Sequence, residues 1–599
     1  MNIRKLCQKI FLILLTSFGL IFILLVLDII IAGSIYHPLT YVYQILSWLS
    51  CRTYFCPNNN TSPAVSTKNG MVVTTQHEAS QVGVKILLAG GNAIDAAVAV
   101  GYALAVTDPC CGNLGGGGFM LIHLADGKEV FIDFREKAPL AAKRNMYLDK
   151  KGNVLDGLST KSYLAVGVPG TVKGLDFALS KYGTLSRQQV INPAIALAEK
   201  GFILQAGDVR ILQANQKKFK DANVANIFLK GGKNSYEVGD RLIQKDLAQT
   251  LKLIATQGTD AFYQGAIAQK IVSASQDNRG ILSLKDFANY SVATQKPIRC
   301  NYRGYEVVSS PPPGGGTTVC QMFNILEGYN LKKLGFHSVE SLHLMFSAML
   351  YAYRDRNSYL GDPAFVKIPL DKLLSEQYAE QIRNKINRDR AIFPDSIKQN
   401  YSREGTNTTH YSVVDKYGNA VAVTYTINSN FGAGVIASDT GFFLNNEMDD
   451  FTSKPDIANQ FGLVQGEANI IEPGKRPLSS MSPTIVTKDD RVFLVTGSPG
   501  GSTIPTTVVQ VITNIIDYGM PVDRAINLPR LHYQGSPNFV VSEPYALNSK
   551  TVQNLWEKGY RVTPFLTWGA AESIQVNLKD NSFLGASDRR KSAGKAIGF

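Results

Sequence analysis

Residues 408–428 read TTHYSVVDKYGNAVAVTYTIN. His410–Asp415 and Ala420–Ile427 each alternate along the chain, and Lys416-Tyr417-Gly418-Asn419 between them carries turn chemistry, so the stretch predicts a β-hairpin headed by two threonines. Taken alone it is a hairpin and nothing more. Just upstream, Ile392–Thr406 is polar and lacks a core-like period, which makes it the candidate linker. Further out the pattern is helical from Thr184 to about Lys285 and again from Ser338 to Arg356, and Ser309–Gly316 (SSPPPGGG) is a loop by composition.

Nearer the N-terminus, NAIDAAVAVGYALAV (92–106) follows Gly90-Gly91 and predicts a fully buried helix with Asn92 near its N-cap. Phe119–Leu124 and Val130–Phe134, split by Ala125-Asp126-Gly127-Lys128, predict a second hairpin. The Gly115–Gly118 run is no phosphate loop, because no Lys-Ser/Thr pair follows and a strand comes next. Glycine there lets packed layers approach closely.

The 599 residues, 45% hydrophobic and 18% charged, suffice for a large core, which excludes disordered, collagen-like and disulfide-miniprotein classes. The net charge of +13 is uneven: residues 408–599 sum to about −1 and residues 1–407 to about +14. No aromatic-interleaved basic stripe accompanies it, so no nucleic-acid partner is expected. Arg4, Lys5 and Lys9 precede an apolar run from Ile10 to Leu27 that resumes after Asp28 as far as Ala32. Its length matches a bilayer span better than a cleaved signal core, so residues 1–36 are expected to be a signal-anchor, with cleavage near Ala32–Ser34 as the alternative. Both readings put the remainder outside the cytoplasm, in the periplasm or at the cell surface. Of the seven cysteines, Cys51, Cys56, Cys110, Cys111, Cys300 and Cys320 follow the apolar run, which is compatible with disulfides of unstated connectivity. No zinc spacing occurs among them, and Ser80 and Gln81 follow His77-Glu78 where a zincin needs its second histidine, so neither metal nor cofactor is expected.

From about Gly70 to the C-terminus the chain resembles the γ-glutamyltransferase (γ-glutamyl transpeptidase) family. The matching stretches are GGNAIDAAVAV (90–100), GNLGGGGFM (112–120), DFREKAP (133–139), VPGTVKGL (168–175), PPPGGG (311–316), the hairpin itself, MDDF (448–451), KRPLSSMSPT (475–484) and TGSPGGS (496–502). The resemblance implies an α+β fold of the N-terminal nucleophile hydrolase type, a four-layer αββα sandwich made as one precursor that cuts itself into two intertwined subunits. Residues 37–69 are then a linker, 70–407 the large subunit and 408–599 the small one.

The residues supply a chemical reason. A threonine hydroxyl needs a base nearby, and this chain offers no Ser-His-Asp arrangement. A free N-terminal amine, with a pKa of about 8, can be that base. Cutting between Asn407 and Thr408 creates nucleophile and base on one residue. Thr409 is the rival on sequence grounds, but the resemblance assigns Thr408. It further implies that Thr426 orients the Thr408 hydroxyl, and that the N–H groups of Gly500 and Gly501 stabilise the oxyanion.

A γ-glutamyl group presents an α-carboxylate and an α-ammonium, so its pocket needs donors and acceptors. By resemblance Arg135, Ser479 and Ser480 take the carboxylate, and Asn428, Glu447 and Asp450 take the ammonium. Lys454–Gly466 resembles a lid loop, with Phe461 where many lidded relatives carry tyrosine; without the hydroxyl it can shield the site but not bond to Asn428. The expected activity is transfer of the γ-glutamyl group of glutathione and related compounds to water, amino acids or peptides. The alternatives are an acylase for β-lactam side chains or poly-γ-glutamate, and an uncleaved, inactive anchored scaffold.

Overall fold

The computed structural model describes residues 63–392 and 407–599. The expected anchor, Cys7, Cys51, Cys56 and nearly all of the candidate linker lie outside these residues. Among them, no helix is long and apolar enough to cross a membrane.

Fourteen strands form the two main sheets: β1 (Val65–Thr67), β2 (Gly70–Thr74), β3 (Gly117–His123), β4 (Glu129–Asp133), β5 (Ala293–Gln295), β6 (Ile298–Tyr302), β7 (Tyr305–Ser309), β8 (Thr409–Asp415), β9 (Ala420–Thr426), β10 (Thr484–Lys488), β11 (Arg491–Thr496), β12 (Ser573–Val576), β13 (Phe583–Ala586) and β14 (Lys595–Gly598). One seven-stranded sheet runs β14-β2-β8-β9-β3-β4-β5, and the other runs β1-β13-β12-β11-β10-β7-β6. Neither sheet is built from one side of the Asn407–Thr408 bond. The hairpin β8–β9 pairs antiparallel, Thr409 opposite Tyr425, and is flanked by β2 and β3 from the N-terminal part of the chain.

The central strands of the first sheet, β2, β3, β8 and β9, are buried on both faces, so their period of two separates two kinds of apolar neighbour rather than apolar from polar. Val72, Met120, Ile122, Tyr411, Val413, Val421 and Val423 face a helical layer. Met71, Val73, Phe119, Leu121, Val414, Ala420 and Ala422 face the second sheet. The first helical layer includes α1 (His77–Leu88), α2 (Ala93–Thr107) and α3 (Arg187–Lys200); the layer beyond the second sheet includes α4 (Gly316–Glu327), α5 (Val339–Tyr359) and α6 (Ile504–Ile516). The order is helix, sheet, sheet, helix. As the sequence predicts, Asn92 caps α2, its side chain accepting from the N–H groups of Ile94 and Asp95.

The four-glycine run is a close-approach device. A Cβ on Gly116 would lie 2.0 Å from the Thr426 carbonyl oxygen, and one on Gly118 would lie 2.4 Å from the Tyr425 Cβ. Disulfides join Cys300 to Cys320 and, unforeseen in the sequence, the adjacent Cys110 and Cys111. Both lie before Thr408.

Candidate active site

The Asn407–Thr408 bond lies at the entrance to β8, with Asn407 completely buried and Thr408 5% exposed. Thr408 has φ +83°, a conformation that a β-branched side chain resists. Its hydroxyl donates to Thr426 Oγ1 at 3.0 Å, and that oxygen also accepts the Asn428 N–H at 2.8 Å. Thr426 ends β9, so the ladder register delivers it beside the start of β8. Thr409 points elsewhere: its hydroxyl pairs with Thr75 Oγ1 at 2.9 Å, and Thr75 donates to Asp108. His410 is no base for this site, since burial depresses it to about 3 and its nitrogens meet the Thr424 and Ser412 hydroxyls.

The Ser498–Ser502 loop leaves β11 and reaches the scissile bond from the second sheet. The Gly500 N–H donates to the Asn407 carbonyl at 3.0 Å. Gly500 and Gly501 hold φ of +134° and +55°, backbone that side chains avoid, and a turn at Gly501–Thr503 runs directly into α6. The amides thus stand at the positive end of a helix.

Thr408, Thr426, Asn428 and Gly501 line a small cavity together with Arg135, Glu447, Asp450, Ser479 and Ser480. Arg135 extends from the segment after β4 and is wholly buried. The expected donor and acceptors pair with each other: Arg135 donates to Glu447 and, at 2.5 Å, to Asp450. Burial lowers the Arg135 pKa, and the carboxylates of Glu447, Glu136 and Asp450 more than reverse this, keeping it charged. Burial raises all three carboxylates, Glu136 to about 7. Ser479 and Ser480 sit on a segment fastened to the PPPGGG loop, Ser479 N–H to Pro313 O at 2.7 Å and Gly315 N–H to Met481 O at 2.9 Å. Asn428 donates its side-chain N–H to Asn446 O at 3.0 Å, which fixes the amide at the cavity wall.

Sequence reasoning missed Arg356. It comes from α5, is 2% exposed, and lines the same cavity. It donates to Ser480 Oγ at 3.1 Å and Gln465 Oε1 at 3.2 Å, and has no ion-pair partner among the described residues. Because it fills an acceptor position of Ser480, the serine hydroxyl proton is left to point elsewhere. Burial brings Arg356 down to about 10.

The lid segment is closed. Phe461 is buried with Tyr353 and Leu463, and its ring would stand 2.7 Å from a Cβ on Gly501. Its carbonyl accepts from Ser502 Oγ at 3.4 Å and Gln534 Nε2 at 3.2 Å, so backbone contacts hold the loop where a tyrosine hydroxyl is absent.

The gamma-glutamyltranspeptidase family profile matches residues 79–598. A glutathione hydrolase proenzyme of Pseudomonas sp. (strain A14) is 52% identical over 563 residues, 92% of this chain and 98% of the relative. Among solved structures, the cephalosporin acylase of Bacillus halodurans superposes with a TM-score of 0.81 at 27% identity, covering 91% of this chain and 98% of that one. The gamma-glutamyltranspeptidase of Helicobacter pylori gives a TM-score of 0.52 at 44% identity, covering 56% of this chain and 95% of the solved chain. With a two-sheet sandwich and a match over most of its length, the chain belongs to the gamma-glutamyltranspeptidase family.

Proposed function

We propose that this γ-glutamyl hydrolase/transferase cuts itself between Asn407 and Thr408 and then uses Thr408 as nucleophile on γ-glutamyl compounds, glutathione among them. The Gly500 N–H on the Asn407 carbonyl carries this reading, because a donor on that oxygen stabilises the charge that develops when the carbonyl is attacked. In the uncut chain the Thr408 hydroxyl adds to the Asn407 carbonyl carbon. The C–N bond then breaks, leaving Asn407 esterified to Thr408 Oγ1 and freeing the Thr408 amine. Water hydrolyses the ester. The departing Asn407 carboxylate vacates the amide, and the same donor becomes available to a substrate.

In turnover the Thr408 amine accepts the hydroxyl proton as Oγ1 attacks the γ-carbonyl. The oxyanion lies on Gly500 and Gly501, the proton passes to the leaving amine, and a glutamyl-threonine ester remains for water or another amine. The α-carboxylate takes Arg135, Ser479 and Ser480, and the α-ammonium takes Glu447 and Asp450 with Asn428 alongside. A zwitterion can thus replace the internal ion pair without stranding a charge. The acylase reading is favoured by the 0.81 TM-score to cephalosporin acylase. Against it stands this buried arrangement of a cation and three carboxylates, which suits a free amino-acid end.

Residues 10–32 support an anchored, extracytoplasmic enzyme. Full-length protein should then sediment with membranes and be released by detergent but not by salt; soluble recovery of a form beginning just after Ser34 would instead favour a cleaved signal.

Thr408→Ala should leave one chain, whereas the native protein should give pieces of 407 and 192 residues, before any signal removal, on a denaturing gel without thiol. Cutting of purified Thr408→Ala at this bond would remove the hydroxyl from the mechanism. Acylating the substrate's α-amine should lower kcat/KM by on the order of 10²-fold, since the buried acceptors lose their partner. Glutaryl amides turning over as fast as γ-glutamyl-p-nitroanilide would return the chain to the acylases. Protonation neutralises a carboxylate, and the pocket carboxylates are raised. As pH falls, Glu447 and Asp450, both raised by burial, are protonated above the ordinary carboxylate range, so the pocket loses its hold on the ammonium and kcat/KM should fall; a profile level down to the ordinary glutamate value of 4.5 contradicts this.

A further inference from the structure

Thr408 and Thr409 are neighbours in the chain, yet their side chains belong to opposite layers. Thr408 shares a face of the hairpin with His410, whose ring abuts Gly497 at the exit of β11 in the second sheet. Thr409 shares the other face with Tyr411 and Val413, which pack on the first helical layer. There its hydroxyl meets two residues that none of the foregoing chemistry uses. Thr75, one residue beyond the ladder pair Thr74–Tyr411, gives its single hydroxyl proton to Asp108 Oδ2 at 3.1 Å. In its 2.9 Å contact with Thr409 it is therefore the acceptor, and Thr409 donates. Thr409 is completely buried, Thr75 is 1% exposed and Asp108 4%, so the chain of three lies away from solvent.

Asp108 is itself fixed. It ends α2, where its N–H donates to Leu104 O at 2.9 Å, and its carbonyl accepts the N–H groups of Cys111 and Gly112 at 2.9 and 2.8 Å. The Cys110–Cys111 disulfide lies within the same turn. The scissile bond is thus held from both sides: the Gly500 N–H holds Asn407 from the second sheet, and Thr75 with Asp108 holds Thr409 from the helical layer. Between them Thr408 keeps φ +83°, a conformation that a β-branched residue leaves unless its surroundings impose it. That torsion runs through the Asn407 carbonyl carbon. It exists only in the uncut chain, because a Thr408 that begins a polypeptide has no φ.

We propose that Thr75 and Asp108 are positioning residues for self-cleavage. By fixing Thr409 they hold Thr408 in the strained backbone conformation from which its hydroxyl adds to the Asn407 carbonyl carbon, and the strain is released when the C–N bond breaks. This rests on the self-cleavage reading given above. It assigns the pair no contact with substrate and no part in turnover: once the bond is cut the constrained torsion is gone, while Thr426 still orients the Thr408 hydroxyl.

The test compares cutting with turnover in the same variants. Thr75→Val keeps the shape of the side chain and removes the hydroxyl, so pulse-labelled full-length chain should give its two pieces about 10-fold more slowly than native. Thr75→Ser restores the hydroxyl and should cut at the native rate. Asp108→Asn leaves Thr75 an acceptor and should fall between the two; it carries the same comparison should Thr75→Val not fold. In each variant, kcat/KM for γ-glutamyl-p-nitroanilide per cut molecule should change far less than the cutting rate. Native cutting by Thr75→Val, slow cutting by Thr75→Ser equal to that of Thr75→Val, or an equal fall in cutting and in kcat/KM each overturns the proposal. A native chain that stays uncut overturns the self-cleavage reading itself, and this inference with it.

Discussion

The Gly500 N–H to Asn407 C=O hydrogen bond joins the two sheets at the point where chemistry is required. Its donor comes from the exit of β11 in one sheet, its acceptor from the entrance to β8 in the other. Both are positioned by long ladders, not by their own loops. Thr426 reaches Thr408 because β9 pairs with β8 in a fixed register, and a slip of one residue would turn its side chain to the opposite face. The absent Cβ atoms of Gly116 and Gly118 let β3 lie close enough to keep that register buried. The layers thus do what flexible side chains cannot, which is to hold the Thr408 hydroxyl and the Gly500 amide about one carbonyl at a fixed separation.

The pocket follows a second logic. Burying a lone arginine is costly, and Arg135 is tolerated because carboxylates surround it. Those carboxylates are themselves raised by burial, so the cluster is a compromise between desolvation and attraction. A ligand bearing both signs relieves both poles together. Arg356, which lacks a carboxylate partner among the described residues, extends the donor side by fixing the acceptor role of Ser480.

Much of this was legible in the residues because it is local. The hairpin announces itself through period and turn chemistry, and the cap of α2 lies in the Gly-Gly-Asn step before an alanine-rich run. The motifs at Arg135, Glu447–Asp450 and Ser479–Ser480 marked the pocket residues, but not that they close on each other across 312 and 315 positions of sequence. Arg356 was hidden by its neighbours. Arg354-Asp355-Arg356 reads as a solvated helix end, and Arg354 is indeed about half exposed, yet the helical turn puts Arg356 on the face of Met349 and Tyr353, which is buried. The Cys110–Cys111 pair had the same difficulty, since spacing does not reveal connectivity.

The placement of β8 and β9 between β2 and β3 has a bearing on the history of each molecule. Before cleavage one chain brings these four strands together, and the cost of closing the intervening loops grows only slowly with their length. On the proposed cleavage before Thr408, the hairpin would then belong to a polypeptide with no cysteine, since none follows Cys320. Two such pieces, once denatured, would diffuse apart, and their reassembly would be second order, dependent on concentration and exposed to aggregation of the unpaired strands. On that proposal, persistence of a two-piece enzyme would depend on slow unfolding and not on ready refolding. Its assembly is completed once, in the uncut state.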